Sequence, residues 1–225
     1  MTQEELENRV KHSKWQVRNS ALKVIGAKLE ERSIEILKEI LLDKRPSTWI
    51  KRVLGEPFHQ VGFIRRNTWM ALKKQAISES DFNVLLPIGL DDPYYEVRTA
   101  TWDAIYYKLN DKSWHFTNEW EIKLKERVKK EKNFEILLAM LPSMEYIFDI
   151  DEILEFSHKI RKYKSWRVRG AYFDLLVSLY EKDLLPYEKL KPYLNNVHLR
   201  SDYFKPIFLL KEKRQNLDRL LEAQL

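Results

Sequence analysis

The sequence predicts an all-α protein, folded as a right-handed α–α superhelix (a solenoid) of about six two-helix repeats. A short motif recurs along the chain, and amphipathic segments with helical spacing lie between its copies. No segment shows sustained alternation of apolar and polar residues, so we expect essentially no β-sheet.

The recurring motif consists of an aromatic residue, any residue, Val or Ile, and Arg, followed by apolar residues on one helical stripe. Its copies are best at 15–18, 95–98 and 166–169. They are looser at Ile64-Arg65 and at Phe204, and the copy at Phe134 is degenerate. Apart from a longer first interval, successive copies lie about 35 residues apart, which is typical of stacked two-helix units.

Each unit is expected to contain a helix A, followed by a helix B that the motif opens. The predicted A helices cover residues 3–12, 33–42, 80–90, 118–131, 151–162 and 187–197. Prolines should kink the helices that contain them, at positions 87, 142, 192 and 206. The fourth copy contains Pro142 and lacks the motif Arg, so it should be the most irregular.

This pattern resembles the HEAT repeat of the armadillo-like group, in which an Asp near the A–B turn often precedes a Val-Arg pair. Asp91-Asp92-Pro93, followed by Val97-Arg98, is the best match, whereas the copies at 15–18 and 166–169 lack the turn Asp. The resemblance implies a single HEAT-like domain over residues 1–225. The long first interval indicates an insertion near 43–58, and such insertions often mark a binding face.

Two columns of residues recur at equivalent helical positions and are expected to pack in the core. The first column contains the motif aromatics Trp15, Tyr95 and Trp166, which should wedge between neighbouring units. The second column contains Leu22, Trp69, Trp102 and Phe173. The alternative is an exposed aromatic stripe on which bases or ligands stack.

A third column is basic and contains Arg18, Arg65, Arg98 and Arg169. One interpretation is a ladder of inter-repeat hydrogen bonds to turn carboxylates or carbonyls. The other is a row of guanidinium groups that meets phosphates.

The chain is mildly basic, with 40 Lys and Arg against 34 Asp and Glu, a net charge of +6 and a pI near 9.2. Acid-free basic runs cover residues 9–28 and 159–169. The candidate binding residues are Arg18, Trp49, Lys51, Arg52, Arg65, Arg66, Arg98, Arg161, Lys162, Lys164, Arg167 and Arg169.

Catalytic and metal chemistry have little support in the sequence. There is no Cys, which excludes disulfides and thiolate metal sites, and no two of the five His have the spacing of a helical metal pair. Phosphate-binding loops and nucleophile elbows are also absent. We therefore expect no cofactor, metal or catalytic residue. The polar N-terminus and the lack of a long apolar run predict a cytoplasmic protein without a membrane partner.

The sequence favours a non-catalytic scaffold that binds a protein or peptide partner on a concave face of B helices and the 43–58 insertion. The first alternative is a sequence-independent nucleic-acid binder that uses the two basic runs. The second is a base-excision enzyme similar to the DNA-alkylation-repair glycosylases, which are built from HEAT-like repeats. In that case Asp103 and Asp174, at equivalent positions of two repeats, are the carboxylates to test.

Overall fold

A computed structural model describes residues 3–12, 14–27, 31–42 and 59–194. Every regular element among these residues is helical, which confirms the all-α class. The α-helices are α1 (Gln3–Val10), α2 (Trp15–Ala27), α3 (Glu31–Leu42), α4 (His59–Leu72), α5 (Glu79–Leu90), α6 (Tyr95–Asn110), α7 (Asn118–Lys130), α8 (Phe134–Met140), α9 (Met144–Ile147), α10 (Ile150–Ile160), α11 (Trp166–Glu181) and α12 (Tyr187–Leu194).

The helices alternate as A and B in the order that the motif predicts. The A helices are α1, α3, α5, α7, α10 and α12, and helix α5 corresponds to the predicted segment 80–90. The described B helices are α2, α4, α6, the α8–α9 pair and α11. The 43–58 insertion, the copy at Phe204 and Pro206 lie outside the described residues.

The fourth B helix is broken, which confirms the prediction that this copy is irregular among the described ones. Helix α8 ends at Met140, the 3₁₀ turn Leu141–Ser143 contains Pro142, and α9 then covers only Met144–Ile147. Proline has no N–H for the helical ladder, and its ring clashes with the preceding turn. Pro87 and Pro192 lie inside α5 and α12.

Side-chain caps fix the starts of several helices. The Ser78 hydroxyl accepts a hydrogen bond from the N–H of Asp81 at 3.1 Å and begins α5. Asp149 begins α10 with a capping box, because it accepts from the N–H of Glu152 at 2.8 Å while the Glu152 side chain accepts from the N–H of Asp149. The acidic residues at the start of α10 therefore have a structural role.

The chain divides into two compact units, Met1–Ile147 and Phe148–Leu225. In the first unit, α4 packs between α2 and α6. Leu22, Trp69 and Trp102 are buried, which confirms core packing for these members of the second column, whereas Phe173 in the second unit is only half-buried.

The prediction for the first column is wrong at Tyr95, whose side chain is 42% exposed. The preceding residue, Tyr94, occupies the inner position: its ring would lie 2.6–2.8 Å from a Cβ at Gly62, and the Arg65 guanidinium lies 5.6 Å from its centroid. Tyr95 is the first residue of α6, so its side chain points away from that contact. Trp166 is half-buried, and the side chain of Trp15 lies outside the described set.

The end of α5 approaches the core helices very closely at Gly89. A Cβ at this position would lie 2.5 Å from two ring carbons of Trp69 and would also overlap the hydroxyl of Thr101. Only glycine fits here without displacement of a neighbour.

In the second unit, α10, α11 and α12 pack on one another. The buried Tyr172 hydroxyl donates to the Ile153 carbonyl at 2.5 Å, and burial raises the pKa of this phenol. Lys189 of α12 forms an ion pair with Asp151 of α10 at 2.6 Å. These contacts tie the three helices together.

Candidate binding surfaces

The A–B turn of the third repeat, residues 91–94, is the acidic turn. Its Asp92 carboxylate accepts two hydrogen bonds from Arg65, one from Nε at 2.6 Å and one from Nη2 at 3.0 Å. Both side chains are buried, at 7% and 5% exposed. A buried bidentate pair of this kind is geometrically specific, and it joins the third repeat to the B helix of the second.

Two further arginines surround the acidic turn. Arg98 Nη1 donates to the carbonyl of Asp92 at 2.6 Å, and Arg127 Nη2 donates to the Asp91 carboxylate at 2.8 Å. Arg127 also donates to the Leu90 carbonyl at the end of α5, where a cation offsets the helix dipole. The charges of the acidic turn are therefore neutralised within the fold.

The A–B turn of the fifth repeat lies within residues 159–169, which we call the basic turn. Arg169 Nη1 donates to the carbonyls of Tyr163 and Lys164, the second at 3.2 Å. Arg98 and Arg169 thus each bond to the carbonyl six residues earlier. Tyr163 occupies the position of Asp92, so this turn keeps the arginine–carbonyl bond but has no carboxylate.

The cations of the basic turn lie at the surface. Arg161, Lys162, Lys164 and Arg167 are exposed. Within the described part of the chain, Arg161, Lys162 and Lys164 form no ion pair. Tyr163 and Trp166 are half-buried among these cations. This surface therefore combines uncompensated positive charge with partly exposed aromatic rings.

A second surface is formed by the exposed sides of α4 and α6, and we call it the B-helix face. It contains Met70 and Tyr107, which are 46% and 41% exposed. Lys73, the residue after α4, has its Nζ 2.5 Å from a carboxylate oxygen of Asp103 and 5.9 Å from the ring centroid of Tyr107. This ion pair joins the end of α4 to α6.

Beside the B-helix face, a tyrosine pair joins α6 to α9. The rings of Tyr106 and Tyr146 lie 6.3 Å apart, and the Tyr146 hydroxyl donates to the Asn110 side chain at 3.1 Å. Burial raises the pKa of Tyr146 to about 12, so the phenol stays protonated as a donor at neutral pH. Another side-chain hydrogen bond joins α4 to α2, where the Asn67 amide donates to the side-chain oxygen of Asn19.

The other predicted site residues are scattered. Arg18 is half-buried on α2. Arg66 lies over the Phe63 ring at 4.4 Å and donates to Asn67. In the basic run 9–28, Lys11 pairs with Glu39 at 3.2 Å. Trp49, Lys51 and Arg52 lie outside the described residues.

Arg65 and Arg98 are held by turn acceptors, so the ladder interpretation describes them better than a row that meets phosphates. The carboxylate of Asp103, a candidate for base excision, is engaged by Lys73. Across the described ranges, no three His, Asp or Glu side chains are grouped as a metal site would require. The described helices also include none long and apolar enough to span a membrane.

Lys108 is a buried cation that sequence reasoning missed. Its side chain is 4% exposed and donates to the Gln75 carbonyl at 2.7 Å, beyond the end of α4. Burial lowers the pKa of this amine. A lysine inside an amphipathic helix gives no sequence signal that would distinguish it from a solvated one.

No protein-family model, curated protein or solved structure matches the chain.

Proposed function

We propose that the protein is a non-catalytic scaffold of HEAT-like repeats, stacked as a right-handed solenoid, that binds a protein or peptide partner on the B-helix face. The alternation of A and B helices supports the repeat assignment. The Arg65–Asp92 pair also supports it, because it joins one repeat to the turn of the next.

The observation that carries the proposal is the exposure of Tyr107 beside the Lys73–Asp103 ion pair, with Met70 exposed on α4 three residues before Lys73. Tyr and Met are enriched at protein interfaces, and rigid amphipathic side chains lose little entropy on binding. The Lys73–Asp103 pair offers a donor and an acceptor to a partner backbone. This combination of apolar anchors and central polar groups suits a peptide segment.

The proposal is tested by selecting peptides from a displayed library against the full chain. The selected peptides are then titrated against the double variant Met70→Ser/Tyr107→Ser. We expect affinity to fall at least about tenfold, because interface anchors of this type cost more than about 1.4 kcal/mol when truncated.

The control is Val84→Ser/Ile122→Ser, which removes two side chains that are 67% and 61% exposed on the A helices α5 and α7. It should leave the affinity unchanged. A selection that yields no peptides, or peptides that bind both double variants equally well, would contradict the proposal.

A further inference from the structure

We infer that the basic turn, residues 159–169, binds single-stranded nucleic acid without sequence preference. This binding surface uses residues of the second unit and a different class of partner, so it goes beyond the B-helix face and does not depend on it.

First, Lys162 and Lys164 of the basic turn do little for the fold. In the acidic turn, Arg65, Arg98 and Arg127 all bond to turn acceptors. In the basic turn, Arg169 bonds to turn carbonyls, whereas Lys162 and Lys164 are exposed and form no ion pair with the described residues.

Lys159 offsets the dipole at the end of α10, but the start of α11 does not require a cation. Arg167 lies in the first turn of α11, where the helix dipole disfavours a cation, and this turn contains no acid. Six cations and no acid occur over residues 159–169. Like charges this close repel one another, so a polyanion that separates and neutralises them would be bound favourably.

The second argument is that the turn has a fixed shape. The Arg169 guanidinium donates hydrogen bonds to the carbonyls of Tyr163 and Lys164. At its two ends the surface continues into the helices α10 and α11, of 11 and 16 residues. Cations on a fixed turn lose less conformational freedom on binding than cations on a mobile one.

The third argument concerns the choice between nucleic acid and an acidic peptide. Tyr163 and Trp166 are half-exposed within the run of cations. Aromatic rings beside a basic surface suit bases, because every base has a π-face and stacking does not depend on sequence. Carboxylates of an acidic peptide would use the cations but would leave the rings without a role. One short turn also matches a few phosphates of a flexible strand better than the groove of a duplex.

The test is a fluorescence-anisotropy titration of the full chain with a 5′-labelled 12-nucleotide oligo(dT), repeated across salt concentrations. Four phosphate contacts on a single strand predict a slope of log affinity against log salt of about −3, and therefore a loss of about 50-fold between 50 and 200 mM salt. The variant Lys162→Gln/Lys164→Gln should reduce the magnitude of the slope by about 1.4. Trp166→Ala should weaken binding at least about fivefold with little change in slope.

The matched control is Lys74→Gln/Lys132→Gln, which removes the same charge from exposed lysines of the first unit. It should retain the wild-type slope and affinity. Because the exposed lysines of both double variants form no side-chain hydrogen bond or ion pair with the described residues, neither change should affect folding. A circular-dichroism melt checks this.

Three results would overturn the inference. The first is no binding of oligo(dT) at about 50 mM salt, and the second is an equal loss in both double variants. The third is tighter binding of an oligoglutamate peptide of the same charge than of oligo(dT), which would assign the basic turn to an acidic protein. Since the peptide selection against the B-helix face uses other residues, these results leave the proposed scaffold function untouched.

Discussion

The acidic turn joins α5 to α6 and the basic turn joins α10 to α11, and their hydrogen bonds show which part of the turn motif is constant. Arg98 and Arg169 each donate to the carbonyl six residues earlier in both turns. Only the acidic turn adds a carboxylate, Asp92, and with it the buried bond to Arg65.

The comparison separates two uses of arginine and lysine. The arginine–carbonyl bond is sufficient to shape the turn, since the basic turn has the same bond without an acid. The acid adds a link between repeats and neutralises the charge. Where the acid is missing, Lys162 and Lys164 remain exposed and form no ion pair with the described residues.

The largest effect is expected at the buried pair of the acidic turn. Asp92→Ala leaves the Arg65 guanidinium buried without its partner, which typically costs about 3–5 kcal/mol. The free energy of unfolding of the first unit, measured in urea, should fall by this amount.

Asp91→Ala is the control for that change, because Asp91 is 65% exposed and its pair with Arg127 is a surface pair worth less than about 1 kcal/mol. Equal losses of unfolding free energy in the two variants would show that burial of the Arg65–Asp92 pair does not determine the cost of removing its carboxylate.

Two glycines provide the next test, because one precedes the acidic turn and the other follows the basic turn. Gly89→Ala forces a Cβ against Trp69 and should cost about 1–3 kcal/mol. Gly170→Ala, inside α11, meets no atom within 4 Å and should raise stability by about 0.5–1 kcal/mol, because alanine favours the helix. Thermal melts of the two variants should therefore shift in opposite directions, and shifts of the same sign would contradict the close approach at Gly89.

A third test uses the buried Lys108, whose equivalent in the fifth repeat is Leu179, also buried. Burial lowers the pKa of Lys108, so the folded protein releases this proton at a lower pH than the unfolded chain does. As the pH rises from the folded-state pKa of Lys108 to its ordinary value of 10.5, the free energy of unfolding therefore rises. Below the folded-state pKa, the amine is protonated in both states, so it contributes no change with pH.

Urea unfolding of the wild type and of Lys108→Met across this window measures the effect. The wild type should gain stability relative to the variant as the pH rises towards 10.5. Parallel curves would mean that the amine is charged in the fold throughout.

The smallest effect is expected at the ends of the B helices α6 and α11. Both end in a Schellman motif with a non-glycine residue in the left-handed region, Lys112 and Asp183, each at φ 58°. Lys112→Gly and Asp183→Gly should each raise the free energy of unfolding by about 0.5–1 kcal/mol. Because the two positions are equivalent, a gain at only one of them would contradict the structural match between the third and fifth repeats.

Much of the helical layout could be predicted from periodicity. The predicted helix 118–131 corresponds to α7, Asn118–Lys130. The break in the fourth B helix was predicted from Pro142. These features are local, since they depend on amphipathic spacing and on the missing N–H of proline.

Contacts between helices could be predicted only in part. The column of motif arginines predicted inter-repeat hydrogen bonds to turn carboxylates, and Arg65 binds Asp92 in this way, but the spacing did not say which turn each arginine meets. The sequence assigned the aromatic wedge to Tyr95, whereas Tyr94 fills that position. Helical periodicity defines the buried face of a helix, but it does not say which neighbouring residue the end of that helix meets.

We infer that the charges of Lys162 and Lys164 in the basic turn are dispensable for folding and are used for binding. The most direct measurement makes the turn acidic with Lys162→Asp/Lys164→Glu, where Asp91 is the equivalent of Lys162, and follows both the urea-unfolding midpoint and the affinity for oligo(dT). The account predicts an unfolding midpoint close to that of the wild type and loss of detectable binding at about 100 mM salt. A variant that unfolds, or one that binds as tightly as the wild type, would contradict it.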